Sequence, residues 1–193
     1  MAKVNRKGKA AIWTKPVIRL MRSRLRSPRQ RLIFEISLFT GERMGAIVQL
    51  KVSDVYDPMG KVRDSITFAG TTRKSSKHGL ANTRQIFIHD VLRHALKQYD
   101  VPASYYLFPS DRSSSGYITA RSVDDYWRKI LSEYGYSGFS THSSRRWVIN
   151  QLRTSGIGIV TIAETMSIDV ATVRKYLDED PVACRNAIAT LSV

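Results

Sequence analysis

The chain has 193 residues, with 31 Lys and Arg against 16 Asp and Glu, which gives a net charge of +15 and a pI near 10.2. Such an excess of positive charge favours a polyanionic partner, and the length allows one domain, or one domain with an extension. The single cysteine, Cys184, excludes an intramolecular disulfide framework, and the sequence contains no apolar run long enough to predict a membrane span and no secretory signal. We therefore expect a cytoplasmic, nucleoid-associated protein.

The positive charge is concentrated at the start of the chain. Residues 1–31 contain 11 of the 31 Lys and Arg residues, and the first acidic residue is Glu35. This pattern predicts a basic flexible arm over 1–13 and a basic amphipathic helix that begins near residue 17. A solvated tail is the alternative. We expect phosphate contacts, and hence salt-dependent binding, from three arginines of this region: Arg22, Arg24 and Arg26.

The middle of the chain predicts two helices followed by a hairpin. Residues 30–41 are densely apolar and end in a glycine, which is typical of a helix stop, and 45–55 predict a second, shorter helix. Two segments rich in β-branched and aromatic residues, 64–70 and 83–88, predict the strands of a hairpin with a polar, basic loop between them.

The last half of the chain is predicted to be helical apart from one loop. An amphipathic helix is expected over 89–99, a loop over 101–120, and a helix over 122–136 that starts at Ser122 with acids in its first turn. The remaining elements are three short helices (143–156, 160–166 and 170–178) and a C-terminal piece that opens with Pro181. The predicted fold class is α+β, mainly α, with a small antiparallel β-hairpin sheet.

Four polar residues stand in places where their chemistry is of interest. Arg43 follows an apolar helix, His142 and Arg145 can share one face near a helix start, and Tyr176 lies in a short basic helix. Taken singly, each has an ordinary explanation: an exposed arginine, a chance HxxR pair and a core tyrosine. Their order along the chain is more specific than any one of them.

The ordered segments LFTGERMGAIVQLKVSDV, a basic hairpin, THSSRRWVINQLRTSGI and MSIDVATVRKYL resemble the catalytic domain of the tyrosine recombinases, the phage-type integrases. The resemblance runs from residue 14 to 180, which we take as the domain, and leaves 181–193 as a C-terminal helix or tail that could pack in trans. We expect a short form without the helical domain that usually precedes it. The matching positions are Thr40, Gly41, Arg43, Leu50, Asp54, His142, Arg145, Gly156 and Tyr176.

The resemblance implies a reaction and roles for these residues. The phenol of Tyr176 would attack a DNA phosphodiester, giving a 3′-phosphotyrosine and a free 5′-hydroxyl, without a metal, ATP or other cofactor. Arg43 and Arg145 would stabilise the phosphate charge, and His142 would assist with the phenolic proton. Lys74 would protonate the leaving oxygen, with Lys77 as the alternative.

The resemblance also implies a partner and an assembly. The partner would be double-stranded DNA with specific recombination sites, on which the family acts as homo-oligomers, typically tetramers. Beyond the three N-terminal arginines, the residues that we expect to contact DNA are Lys77, Arg146, Arg174 and Lys175.

Three positions depart from the family pattern. Ser167 stands nine residues before Tyr176, where the family usually has His or Trp, and a serine can donate a hydrogen bond there but carries no charge. Ala46 replaces a common glutamate, and Ser144 replaces an apolar residue.

Three other interpretations are open. Residues 159–177 also predict a helix-turn-helix with a turn at 167–169, which would make the protein a DNA-binding regulator, although that leaves the Arg43 segment and the basic hairpin without a role. Alternatively, the uncharged Ser167 would indicate a relative that binds DNA and no longer cuts it. A type IB topoisomerase would share the same chemistry.

Overall fold

The computed structural model describes residues 9–73 and 82–177. Over these ranges the predicted fold class is confirmed, because the chain is mainly helical and has one two-stranded antiparallel sheet. No helix in these ranges is both long and apolar enough to cross a membrane. The elements in chain order are α1 (Lys15–Arg24), α2 (Pro28–Thr40), α3 (Met44–Ile47), β1 (Ser65–Phe68), β2 (Arg84–Phe87), α4 (Asp90–Lys97), α5 (Ala120–Glu133), α6 (His142–Thr154), α7 (Ile159–Met166) and α8 (Val170–Tyr176).

The central helix α2 is defined by strong signals at both ends. Ser27 and Gln30 form a reciprocal capping box at its start, and Gly41 ends it in the left-handed conformation with φ of +58°. A Cβ on Gly41 would lie 2.8 Å from the Met166 side chain. The predicted glycine stop is therefore confirmed, and the glycine also allows the end of α2 to approach α7 closely.

The main core lies between α1, α2 and α5 and includes part of the predicted arm. Trp13 is 1% exposed, and its ring lies 5.4 Å from that of Phe34 and 4.9 Å from that of Phe139. The backbone of Ala11 donates to Gly138 at 2.9 Å. The prediction of a flexible arm over 1–13 is therefore wrong for residues 9–13, because Trp13 anchors them; residues 1–8 lie outside the described residues.

Two predicted helix boundaries also need correction. The helix expected over 45–55 is only α3, followed by a 3₁₀ turn at Val52–Asp54. Helix α5 begins at Ala120 and not at Ser122, because Thr119 is the N-cap and its hydroxyl accepts the Ser122 N–H at 3.1 Å.

The predicted hairpin is confirmed as strands β1 and β2. Ile66 pairs with Ile86, and Phe68 pairs with Arg84, so that the buried face of the sheet carries an arginine beside apolar side chains. Lys74 and Lys77, which the sequence analysis places in the loop of this hairpin, lie outside the described residues.

The last three helices form a smaller, separate core. The predicted short helices are confirmed as α6, α7 and α8, which bury Ile149, Ile162, Ala163, Met166 and Val173. Asp169 caps α8 through its contact with the Thr172 N–H. Because this cluster is small, α8 is the element that we expect to open at the lowest free energy. The predicted segment 181–193 lies outside the described residues.

The turn between α7 and α8 contains an unusual backbone conformation. Ser167 has φ of +48°, the position that glycine normally occupies in this type of helix end. Changing Ser167 to glycine should relieve about 1 kcal/mol of backbone strain and raise the melting temperature by about 2–4 °C. Calorimetry checks this, with Ser155→Gly as a control at an ordinary negative φ of −78°. A lower melting temperature for Ser167→Gly than for the parent chain would contradict it.

Candidate active site

A buried carboxylate accepts hydrogen bonds from three arginine side chains and from the backbone of a fourth arginine. Glu42 is 1% exposed. One carboxylate oxygen, Oε1, accepts the Arg43 backbone N–H at 2.8 Å and Arg145 Nη1 at 3.3 Å. The other, Oε2, accepts Arg73 Nε at 3.2 Å and Arg84 Nη1 at 2.9 Å. Burial raises the pKa of Glu42, but the Arg43 hydrogen bond and the nearby positive charges outweigh burial and hold that pKa below its usual value.

Arg145 is the most deeply buried cation of this cluster. Its side chain is 1% exposed, and Nη1 also donates to the Gly41 carbonyl at 3.2 Å. Its Nε and Nη2 are buried and have no hydrogen-bond partner among the described residues. Burial lowers the pKa of Arg145, and Arg43 lowers it further, while Glu42 and Tyr176 oppose the shift. Unpartnered buried donors are costly, so these two N–H groups indicate a place for an anion.

The other two residues predicted to act on the phosphate, Arg43 and His142, stand at the starts of α3 and α6. Arg43 is the N-cap of α3 and is half-buried, and its guanidinium has no hydrogen bond or ion pair with any described residue. His142 is the first residue of α6 and is exposed, one helical turn before Arg145. The sequence placed these three residues in two distant segments, and the structure brings the segments together.

The predicted nucleophile faces the same cluster. Tyr176 is half-buried at the end of α8, and its ring centroid lies 6.0 Å from Arg145 Cζ. Its backbone carbonyl accepts hydrogen bonds from Arg146 Nε at 3.3 Å and from Asn150 Nδ2 at 3.0 Å. Helix α6 therefore both carries Arg145 and fixes the backbone of Tyr176.

The N-terminal segment 9–13 also contacts the backbone near the nucleophile. Lys9 Nζ donates to the Leu177 carbonyl at 3.0 Å. Arg146 donates through Nη1 to the Ala10 carbonyl. Arg146 is 7% exposed, and its guanidinium donates to the backbone carbonyls of Ala10 and Tyr176. Its predicted contact with DNA remains a prediction.

The other predicted DNA contacts within the described residues lie on the surface. Arg22 donates to both Glu35 oxygens at 2.7 Å, and Arg24 lies over the Tyr134 ring at 4.8 Å. Three further side chains are exposed: Arg26, Arg174 and Lys175. Their contacts with DNA remain predictions.

Ser167, the residue that departs from the family pattern, lies beside the arginine cluster. Its hydroxyl is exposed and donates to the Glu164 carbonyl at 3.5 Å, and its carbonyl accepts Arg73 Nη2 at 3.3 Å. The hydrogen bond expected from Ser167 at the position of the family's His or Trp remains a prediction.

The sequence analysis missed Glu42, Arg73 and Arg84. Arg84 Nε donates to the Thr165 carbonyl at 2.9 Å, and Arg73 Nη2 donates to the Met166 carbonyl at 3.4 Å. Burial lowers the pKa of Arg84 to about 10 against the opposing effect of Glu42. The sequence contained a signal for Arg84, because residues 84 and 86 lie on the same face of β2 and Ile86 is apolar. A charged side chain on such an inward face needs a buried partner.

Comparison with protein families decides the relationship of this chain. A model of the phage integrase family matches residues 14–181. The chain belongs to this family. The fold predicted from the resemblance to tyrosine recombinases is thus confirmed, and so is the family itself.

Solved structures share the fold at low sequence identity. The XerA recombinase is 19% identical, with a TM-score of 0.69 over 95% of this chain and 65% of that one. The integrase from mycobacterium phage Brujita is 19% identical, with a TM-score of 0.63 over 96% of this chain and 65% of that one. The Tn1549 transposon integrase in complex with a circular intermediate DNA is 13% identical, with a TM-score of 0.70 over 96% of this chain and 67% of that one. This chain therefore spans 65–67% of the length of these solved chains. A search of curated proteins gave no match.

Proposed function

We propose that this family member is a site-specific DNA recombinase that cleaves and rejoins DNA through a 3′-phosphotyrosine on Tyr176. One observation carries the proposal: Arg145 keeps two buried N–H donors without a partner among the described residues, and its Cζ lies 6.0 Å from the Tyr176 ring centroid. A phosphate bound to those donors would lie within reach of the phenol.

Electrostatics would do most of the catalytic work. Attack on a phosphodiester concentrates negative charge on the non-bridging oxygens, and guanidiniums are shaped to bind such oxygens in pairs. Arg145 would present its Nε edge to one oxygen, and Arg43, whose guanidinium is not engaged by a described residue, would reach another. Preorganised donors of this kind typically contribute about 3–4 kcal/mol each to lowering the barrier.

The proton transfers complete the proposed reaction. The Tyr176 oxygen forms a bond to phosphorus, the bond from phosphorus to the 5′-oxygen breaks, and that oxygen leaves as a hydroxyl. A phenol is mostly protonated at neutral pH, so its proton has to be removed, and we assign assistance to His142. Lys74, with Lys77 as the alternative, would supply the proton to the leaving oxygen. Attack by another 5′-hydroxyl on the phosphotyrosine would then rejoin a strand.

DNA is the proposed partner on two grounds. The chain carries +15 at neutral pH, and its structural relatives include XerH bound to a difH substrate and the Tn1549 integrase bound to DNA. We extend the proposal to assembly as a homo-oligomer on paired sites, since strand exchange requires two duplexes.

A nicked suicide substrate tests the proposed function. The substrates are duplexes with a randomised core and a nick, so that cleavage releases a short 5′-hydroxyl fragment that dissociates and cannot be rejoined. The covalent adduct is thereby trapped. It is detected by separation under denaturing conditions. We expect an adduct whose released fragment accepts a 5′ phosphate label, and sequencing of the trapped strands gives the site. Salt-dependent binding of these duplexes without any covalent adduct would instead support a DNA-binding protein without cleavage activity.

The carbonyl contact of Asn150 leads to a prediction about the nucleophile. In Asn150→Asp, the side chain can no longer donate to the carbonyls of Arg146 and Tyr176, which it contacts at 2.8 and 3.0 Å. We expect adduct formation to slow by about 10–100-fold, because the phenol loses its fixed position, while DNA affinity changes little. The matched control is Gln151→Glu, the same change at the exposed neighbouring position. Equal effects of the two variants would contradict this prediction.

A further inference from the structure

We propose that Glu42 is a positioning residue, which orients Arg145 toward the scissile phosphate. This inference rests on the function proposed above and adds a residue to which the sequence gave no role. It starts from the observation that the two oxygens of the buried Glu42 carboxylate accept hydrogen bonds from different arginines.

The Oε1 atom of Glu42 joins the two predicted phosphate-binding arginines. It accepts the backbone N–H of Arg43 at 2.8 Å and Nη1 of Arg145 at 3.3 Å. Because Nη1 of Arg145 is used by Glu42 and by Gly41, the guanidinium is fixed by one end. Its Nε and Nη2 atoms have no hydrogen-bond partner in the described part of the chain and can therefore serve a ligand. The carboxylate thereby selects which edge of the guanidinium is available.

The Oε2 atom of Glu42 joins the hairpin arginines. Arg73 and Arg84 both donate to it. Arg73 Nη2 and Arg84 Nε also donate to carbonyls at the end of α7, while Arg73 Nη1 and Arg84 Nη2 donate to the carbonyls of Asn82 and Thr40. The side chains of Glu42, Arg73 and Arg84 are each at most 3% exposed, so water does not screen these contacts.

Charge balance explains why the site needs this carboxylate. The guanidiniums of Arg73, Arg84 and Arg145 contact this one acidic group, so the site keeps a positive excess that attracts an anion. Without Glu42 the guanidiniums would repel one another, and Arg145 would lose the partner that sets its direction.

The test compares a normal phosphate with a neutral one at the cleavage position. A methylphosphonate replaces one charged non-bridging oxygen by a methyl group, so its reaction depends less on a correctly aimed cation. We expect Glu42→Gln to slow adduct formation on the phosphate by about 100-fold and on the methylphosphonate by only a few-fold. Arg145→Ala should show the same pattern, and the double variant should be no slower than Arg145→Ala alone.

The control and the second variant separate positioning from general damage. Glu35→Gln makes the same change at another buried carboxylate that pairs with an arginine, and it should leave the ratio of the two rates unchanged. If Glu42→Gln fails to fold, Glu42→Asp carries the same comparison, since it keeps the charge and only shortens the reach; we expect it to be about tenfold slower on phosphate.

Three results would count against the positioning role: equal slowing on both substrates, additive effects of the Glu42 and Arg145 changes, or a wild-type rate for Glu42→Gln. If the parent chain itself formed no adduct, the proposed function would be wrong, and the two failures are therefore distinguishable.

Discussion

Replacing Tyr176 by phenylalanine is expected to abolish covalent attachment to DNA and to leave salt-dependent DNA binding intact. The change removes one hydroxyl, so the packing of the ring against the small core of α6, α7 and α8 is retained. The backbone carbonyl of Tyr176 keeps its contacts with Arg146 and Asn150, because these do not involve the side chain. The loss should therefore be confined to the chemical step, which has no nucleophile without the phenolic oxygen.

The measurement pairs adduct formation with a salt titration of binding. In the titration, the logarithm of the affinity should fall linearly with the logarithm of the salt concentration, with the same slope for both proteins, because no phosphate contact has changed. The chain has nine tyrosines, so a matched control is needed, and Tyr134→Phe provides one at a side chain that is 42% exposed. An adduct that persists in Tyr176→Phe would assign the nucleophile to another residue.

The parts of the fold that the sequence predicted well are those with local causes. The end of α2 follows from the left-handed conformation at Gly41, and the hairpin follows from two segments rich in β-branched residues. The arm was mispredicted for the opposite reason. Its charges suggested a solvated tail, but the single Trp13 packs among three aromatic rings from distant segments, and nothing in its neighbourhood along the chain indicates this.

The candidate site likewise contains residues that a pattern along the chain predicts and residues that only the folded structure brings together. Arg43, His142, Arg145 and Tyr176 could be named because their order along the chain matches a family pattern. The contacts of Glu42 with Arg73 and Arg84 form because three segments meet in space. The spacing of residues within one segment gives no information about such contacts between segments. Arg146 shows the same limit, because its hydrogen bonds to the carbonyls of Tyr176 and Ala10 join residues that are distant along the chain and that no motif indicates.

The change Arg145→Lys preserves the positive charge. It should nevertheless slow adduct formation by about 10²–10³-fold. An ammonium is a point donor and cannot present a paired edge to phosphate while also holding Glu42 and the Gly41 carbonyl, as Arg145 does. The control is Arg153→Lys, the same change on the exposed side of the same helix, which should stay within about twofold of the parent chain.

The surroundings of Arg145 give this lysine variant a pH signature. Burial and the nearby Arg43 charge lower the pKa of Arg145, and the same surroundings would lower the pKa of a lysine, whose ordinary value is already closer to neutrality. The lysine would therefore lose its proton as the pH rises, whereas the arginine keeps its charge. The ratio of the variant rate to the parent rate should accordingly fall as the pH rises, when both rates are measured on the suicide substrate. A ratio that is constant with pH and close to one would show that the site needs only a positive charge and not the geometry of a guanidinium.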